Sequence, residues 1–491
     1  MTAVDRADLR RDALGVLMPG FTGTTLPVWL AAMLRDGLGG ICLFGHNVES
    51  PSQVASLTEA IRTANPQAII ATDEEGGDVS RLHQHEGSPF PGNAVLGRID
   101  DLDTTRRVAR EVGEQLAAVG IDLTLAPVAD INSDPDNPVI GVRSFGADPD
   151  VVAAHTAAWV DGVQAAGVGA CAKHFPGHGD TAADSHLSEP VVSCDASTLA
   201  VREFAPFRAA IAAGTKTIMT SHIRVPALDP ATVATFSATV LGDVLRGRLG
   251  FEGVVVTDAL DMVGASGEIG LPAAAVASVR AGADLLCLGS NNPEREIDAV
   301  VDALADAVND SVLPHHRLAD ANERCRALAG WLGDRRRDRG TSSAATSPEP
   351  LVDRERVAAS FTLSDHATDV LAAGGRRVRW VRIDHEPNIA IGETPFGPFF
   401  EGGAVPALVV PTDARELANT YEAEADALTV VVGREFHRDA GATAAAAAIG
   451  ARCTAIVVDM GFAPAGTVDV ATFGASRLVG EALLELVGAR R

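Results

Sequence analysis

Three short segments of the chain concentrate side chains able to do chemistry. The first, T-D-E-E-G-G-D-V-S-R-L over residues 72–82, sets Asp73 and Arg81 on either side of Gly76 and Gly77. Paired glycines permit a tight turn that brings backbone close to a ligand. The second, K-H-F-P-G-H-G-D-T-A-A-D-S-H over residues 173–186, joins Lys173, His174, His178, Asp184 and His186 in one stretch stiffened by Pro176. Imidazole, ammonium and carboxylate groups in such density are expensive to bury without a task. The third, G-V-V-V-T-D-A-L-D-M over residues 253–262, is an apolar run that ends at Asp258. A carboxylate at a strand end and an aspartate two residues from a histidine are the parts of nucleophilic and acid–base chemistry.

A metal site is the first rival reading, because His174, His178, His186 and His222 with Asp258 are familiar ligand types. Barrel metallohydrolases usually present an H-x-H pair at the end of the first strand, where this chain reads G-V-L-M-P-G-F-T-G. The expectation is therefore chemistry without metal or other cofactor. His178 and His222 also read well as hydrogen-bonded structural residues, whereas the D-S-H triplet does not.

The elements that must position these groups are legible as apolar, β-prone runs separated by helix-compatible stretches, the pattern of parallel β/α units. Eight such runs precede residue 300, at 15–19, 40–45, 68–73, 122–129, 169–174, 217–222, 253–258 and 283–289. Helical stretches are expected at 54–63, 104–119, 151–166 and 293–308. Eight β/α units predict an N-terminal TIM-type (β/α)8 barrel, whose active site lies at the C-terminal ends of its strands. Asp73, Asp130, Lys173 with His174, Ser221 with His222, and Asp258 fall at five consecutive strand ends. One strand-end aspartate is as often a cap or turn former, but five such ends are hard to explain that way. A charged and then Ser/Thr/Pro-rich stretch, 336–350, reads as a linker between a catalytic barrel at 1–335 and a smaller C-terminal α/β sandwich at 351–491. The second domain's strands are expected at 378–383, 407–410, 427–432 and 455–458.

Composition bounds the partners. A formal charge of −25 over 491 residues repels nucleic acid and anionic membrane surfaces and leaves a small substrate as the natural partner. Residues 1–12 are polar and lack the apolar core of a signal peptide, and no apolar run approaches the roughly 20 residues of a spanning helix. Six cysteines without pairing rhythm suit a reducing cytoplasm. Nothing in the sequence specifies a protein partner.

The order D-E-E-G-G-x-V-x-R, A-P-V-A-D at 126–130, R-S-F at 143–145, K-H-F-P-G-H-G with D-S-H, and V-T-D-A-L-D-M resembles family 3 glycoside hydrolases. Within them it is similar to bacterial β-N-acetylglucosaminidases of cell-wall recycling. The resemblance spans the barrel, and the C-terminal part resembles more loosely the accessory sandwich of two-domain members. It implies Asp258 as nucleophile, His186 as acid/base and Asp184 as the residue that orients and charges that histidine. Asp73, Arg81, Arg143, Lys173 and His174 match positions that hold the sugar. The implied activity is retaining hydrolysis of terminal β-linked GlcNAc from muropeptide fragments or chitin oligomers. A phosphorylase using the same site, or a β-glucosidase of the same family, are the alternatives. Glu74 stands where many relatives carry Gln, which sets an extra carboxylate beside the site.

Overall fold

A computed structural model describes residues 6–181, 189–267, 269–339, 351–383, 389–392, 394–400, 407–410, 421–422, 424 and 426–488. The chain packs as two compact units, and neither is one continuous stretch. The first gathers residues 1–75, 105–131 and 147–347, the second residues 76–104, 132–146 and 348–491.

The first unit is built on short parallel strands: β1 (Leu17–Met18), β2 (Gly40–Leu43), β3 (Ile69–Thr72), β4 (Leu123–Thr124), β5 (Gly169–Phe175), β6 (Thr217–Thr220), β7 (Val254–Val256) and β8 (Leu286–Cys287). Each lies within or overlaps one of the eight runs expected from sequence. β2 to β7 form a curled parallel sheet in chain order, and β1 pairs with β8. Backbone hydrogen bonds continue outward from that pair. Gly39 N donates to Leu14 O and Cys42 N to Pro19 O at one edge, and Thr257 N donates to Leu285 O at the other. Every strand contributes to one apolar cluster that includes Met18, Cys42, Ala71, Leu123, Cys171, Met219, Val256 and Cys287. Leu328 and Leu332 of the helix His315–Arg339 join the same cluster. Strands buried on both faces read as near-continuous apolar runs, which is why the sequence pattern located them.

Helices enter where short polar residues and proline dictate. Ser50 accepts a hydrogen bond from Gln53 N at the start of Pro51–Ala64, and Asp148 caps Pro149–Ala165 through Asp150 N and Val151 N. In both, proline fills the first position, where a missing N–H costs nothing. Helices Leu102–Ala118 and Glu294–Asn309 overlap their expected stretches, each offset by one or two residues at its ends. The helix His315–Arg339 runs four residues into the stretch expected as linker, and residues 340–350 lie outside the described residues.

The second unit holds a six-stranded sheet. Its strands are β9 (Thr362–Leu363), β10 (Arg377–Ile383), β11 (Ala407–Val410), β12 (Ala427–Gly433), β13 (Ala455–Asp459) and β14 (Val470–Ala471), ordered β9-β14-β13-β12-β10-β11. All neighbours are parallel except the edge strand β9. The helix Ala440–Gly450 lays Ala442, Ala445, Ala446 and Ile449 into a cluster with Val381, Val431 and Phe436. Among the described residues no helix is long and apolar enough to cross a membrane.

Candidate active site

The polar rim of the first unit starts at β3. Just past Thr72, Asp73 and Glu75 turn to the same neighbour. Both meet Lys173: its Nζ lies 2.7 Å from Asp73 Oδ1 and 2.9 Å from Glu75 Oε1. The lysine side chain is 3% exposed and Glu75 is 4%, whereas Asp73 keeps 19% toward solvent. The charge-assisted contacts of Lys173 tie the segment after β3 to the end of β5.

Lys173 and His174 owe their placement to an interruption in a ladder. The pairing of β5 with β6 shifts between Ala172 and Phe175, so these two residues leave the regular register at the strand's C-terminal end. Such irregularities re-aim side chains next to sites. His174 Nδ1 donates to Asp130 Oδ2 at 2.7 Å, and Asp130 Oδ1 accepts from the backbone N–H groups of His174, at 3.1 Å, and His178, at 2.8 Å. Burial alone would raise the Asp130 carboxyl, but the neighbouring His174 charge and these hydrogen bonds hold it below the usual carboxylate range. Asp130 thus orients the His174 ring and anchors the loop that follows.

Burial drives His178 down to about 4, against the opposing pull of Asp130 and Asp258, so this imidazole is neutral near pH 7. Thr181 Oγ1 donates to His178 O and therefore accepts from His178 Nδ1, at 2.9 Å. His222 is likewise held structurally, with Nε2 donating to Ala259 O at 3.1 Å and Nδ1 against Thr235 Oγ1 at 2.9 Å. Both histidines match the structural reading of the sequence.

Asp258 follows β7, half-buried, its Oδ1 accepting from Ala259 N at 2.8 Å. The bond from His222 to Ala259 O fixes the next residue and so the direction of this carboxylate. Burial first, then the charges of Asp73 and Asp258, push the Cys171 thiol up to about 12. Asp261 is likewise raised by burial, with Asp258 adding to it. Asp73 and Asp258, far apart in sequence, therefore act on one strand of the same sheet.

Asp73, Lys173, His174 and Asp258 all fall in the first unit, and the ion pair joins Asp73 to Lys173 directly. Arg81 and Arg143 belong to the second unit. The Arg81 guanidinium donates to Ala390 O at 2.8 Å and Ile391 O at 3.3 Å. Buried Arg143 donates to Val139 O at 3.0 Å, while its own carbonyl accepts from Asn93 Nδ2 at 2.7 Å. Asp184 and His186 lie outside the described residues. Glu74 is buried, and its carbonyl accepts from Thr124 Oγ1 at 3.0 Å.

Two carboxylates escaped the sequence reading. Glu75 could have been found from its spacing, two residues from Asp73 at the expected strand end. Glu203 could not, because nothing in R-E-F-A-P-F marks it. Its side chain is fully buried, with Oε1 2.5 Å from Arg202 Nε, and a Cβ on Gly177 (φ +127°) would come within 2.6 Å of its Oε2. Burial outweighs the Arg202 charge and raises Glu203 to about 7. The K-H-F-P-G-H-G loop therefore rests on a carboxyl that titrates near neutrality, and only glycine fits at the point of contact.

Residues 29–328 match the family described as glycosyl hydrolase family 3 N terminal domain. The chain is 36% identical to β-hexosaminidase A of Pseudoalteromonas piscicida over 332 residues, which cover 62% of this chain and 55% of that protein. It is 38% identical to a β-hexosaminidase of Alkalilimnicola ehrlichii over 67% of this chain and 96% of that one. This chain thus spans only about half of the first relative's length. Among solved structures, a family 3 β-N-acetylglucosaminidase from Paenibacillus sp. str. FPU-7 is 30% identical. It superposes with a TM-score of 0.82 over 100% of this chain and 98% of that one.

Proposed function

Because the chain belongs to glycosyl hydrolase family 3, we propose that it is a retaining exo-β-N-acetylglucosaminidase acting on muropeptide fragments or chitin oligosaccharides. The observation that carries this reading is the gathering of Asp73, Glu75, Lys173 and Asp258 at the C-terminal ends of strands in one curled sheet. Relatives named as β-hexosaminidases and a structurally similar β-N-acetylglucosaminidase supply the sugar. The reading takes the eight strands as a TIM-type barrel, with the second unit's sheet as the core of an α/β sandwich. It sets the enzyme in the cytoplasm, in keeping with six free cysteines.

In this mechanism Asp258 attacks the anomeric carbon and forms a glycosyl ester as the aglycone departs. His186, kept protonated by Asp184, gives its proton to the leaving oxygen and then takes one from the incoming water. Retaining enzymes hold nucleophile and proton donor about 5–5.5 Å apart. Asp73, Lys173 and His174 hold the sugar by hydrogen bonds to its polar groups. The family resemblance gives Arg81 and Arg143 the same task, and single replacements of each test it.

A slowly turned-over 2-fluoro glycoside should label the protein, and peptide mapping should find the label on Asp258. A label on another residue would remove Asp258 from the nucleophile's role. Turnover of aryl β-GlcNAc against aryl β-glucoside, with and without phosphate, tests the substrate. Preference for glucoside overturns the sugar assignment, and dependence on phosphate makes the enzyme a phosphorylase.

A further inference from the structure

In a parallel sheet, ligands collect in the crevice beyond the C-terminal strand ends where the winding reverses. In the second unit the chain passes from β10 to β11 on one side, then crosses to β12 on the other side and continues to β13 and β14. The reversal therefore lies between β10 and β12. Arg434 and Glu435 follow β12 there, and with Asp78, Ile140, Val142 and Ile391 they line a small recess open to solvent.

The polar groups of this recess are unevenly committed. Asp78 Oδ1 accepts from Ala475 N at 2.7 Å, and Glu435 pairs with Arg438 at 2.9 Å. Glu435 adopts a left-handed backbone (φ +52°), held by Asp459 accepting from its N–H at 2.9 Å. The Arg434 side chain is only 10% exposed, with its guanidinium carbon 4.9 Å from the centre of the Phe396 ring. Its Nη2 stands 3.6 Å from Asp78 Oδ2, beyond hydrogen-bond length, and its Nε is buried with no hydrogen-bond partner among the described residues. An uncompensated buried N–H on a cation is costly, so the recess calls for an acceptor. The Asp78 carboxylate disfavours an anion beside Arg434, and Arg434 itself disfavours a cation. What fits is a neutral group that accepts and donates side by side, flanked by something apolar.

We propose that this recess binds a secondary amide, its carbonyl oxygen accepting from Arg434 Nε, its N–H facing the Asp78 carboxylate and its acyl carbon against Ile140, Val142 and Ile391. A peptide bond and the acetamido group of an amino sugar share that chemistry. The inference does not rest on the catalytic reading, and its test reads binding alone. Ligand-observed NMR and calorimetry on the full chain should detect N-acetylalanine methylamide, N-acetylglucosamine or both at a site that Arg434→Met weakens about tenfold, the worth of one hydrogen bond to a charged group. Val142→Phe, which narrows the recess without touching the cation, should weaken the same site in a protein whose melting temperature is unchanged. Response of the peptide probe alone identifies a peptide ligand, response of the sugar alone an acylated amino sugar, and response of both a site that reads only the amide. Binding of neither probe, or binding that Arg434→Met and Val142→Phe leave unaltered, overturns the proposal and leaves the recess to water.

Discussion

Lys173 holds two carboxylates in place, and Lys173→Met takes the shared cation from buried Glu75 and half-buried Asp73. Breaking a buried pair from one side costs about 3–5 kcal/mol. Urea denaturation should show a loss of that order, with part recovered in Lys173→Met/Glu75→Gln, and no loss would mean that the cluster is solvated. Under the proposed mechanism His186→Ala should lose on the order of 10² to 10⁴-fold with a sugar aglycone, but far less with a nitrophenyl leaving group that needs little protonation. For the latter the Asp258 ester should accumulate as a burst, and equal losses on both substrates without one would sink the Asp184/His186 pair. Glu203 gives a pH signature. Its folded value of about 7 lies above the ordinary 4.5, so the stability it lends is present below pH 4.5 and is lost as pH rises toward 7. Glu203→Gln, fixed in the neutral form, should therefore match wild type near pH 4.5 and exceed it above pH 7 by up to about 3 kcal/mol. Melting curves across that range decide it, and parallel profiles would show that the carboxyl does not titrate on folding.

At the scale of the elements, the entry ends of the strands are pinned by buried ion clusters. Asp284, just before β8, accepts from Val255 N at 2.9 Å and from Arg246 and Arg317, each at 2.6 Å. Asp284→Ala leaves two guanidinium groups facing each other, and a loss of about 3–5 kcal/mol is expected in denaturant, with turnover per folded molecule unchanged. A loss of turnover without a loss of stability would contradict this purely structural role. These strands were legible because burial on both faces writes them as apolar runs, and helices such as Pro51–Ala64 because serine and proline mark their starts. The rim residues were legible because a parallel sheet delivers its strand ends to one edge. Glu203 was not, because a helical glutamate is normally exposed, and only the close approach of Gly177 reveals its burial. Nor could periodicity assign residues 76–104 and 132–146 to the second unit, because it reports neighbours along the chain and not partners hundreds of residues away.

For the molecule as a whole, that assignment bears on how the chain can be cut. Arg98 donates to Ser360 O and lies 3.9 Å over the Phe473 ring, Arg356 pairs with Asp101, and Ala475 N is held by Asp78. A chain ended after residue 339 keeps every residue of the proposed catalytic pair and nucleophile but strips 76–104 of these partners, and 132–146 of His437, which lies 3.7 Å from Asp136. Hydrogen exchange should rise sharply in peptides from both segments while those from β5 to β8 stay protected. Unchanged protection in 76–104 would mean that the segment holds its own shape.

The interleaving of the two units also fixes an order of events during synthesis. Residues 76–104 and 132–146 emerge early, but what they pack against is the last stretch of the chain to be made. At about 5–20 residues per second, the ribosome needs on the order of tens of seconds to deliver it. Through that interval the growing chain carries two segments without their C-terminal partners, and Val79, Phe90, Val139 and Ile140 are among their side chains that are buried in the finished protein. A chain that stalls or is released early is therefore marked by these two segments, which makes them the first places a chaperone or a protease would engage.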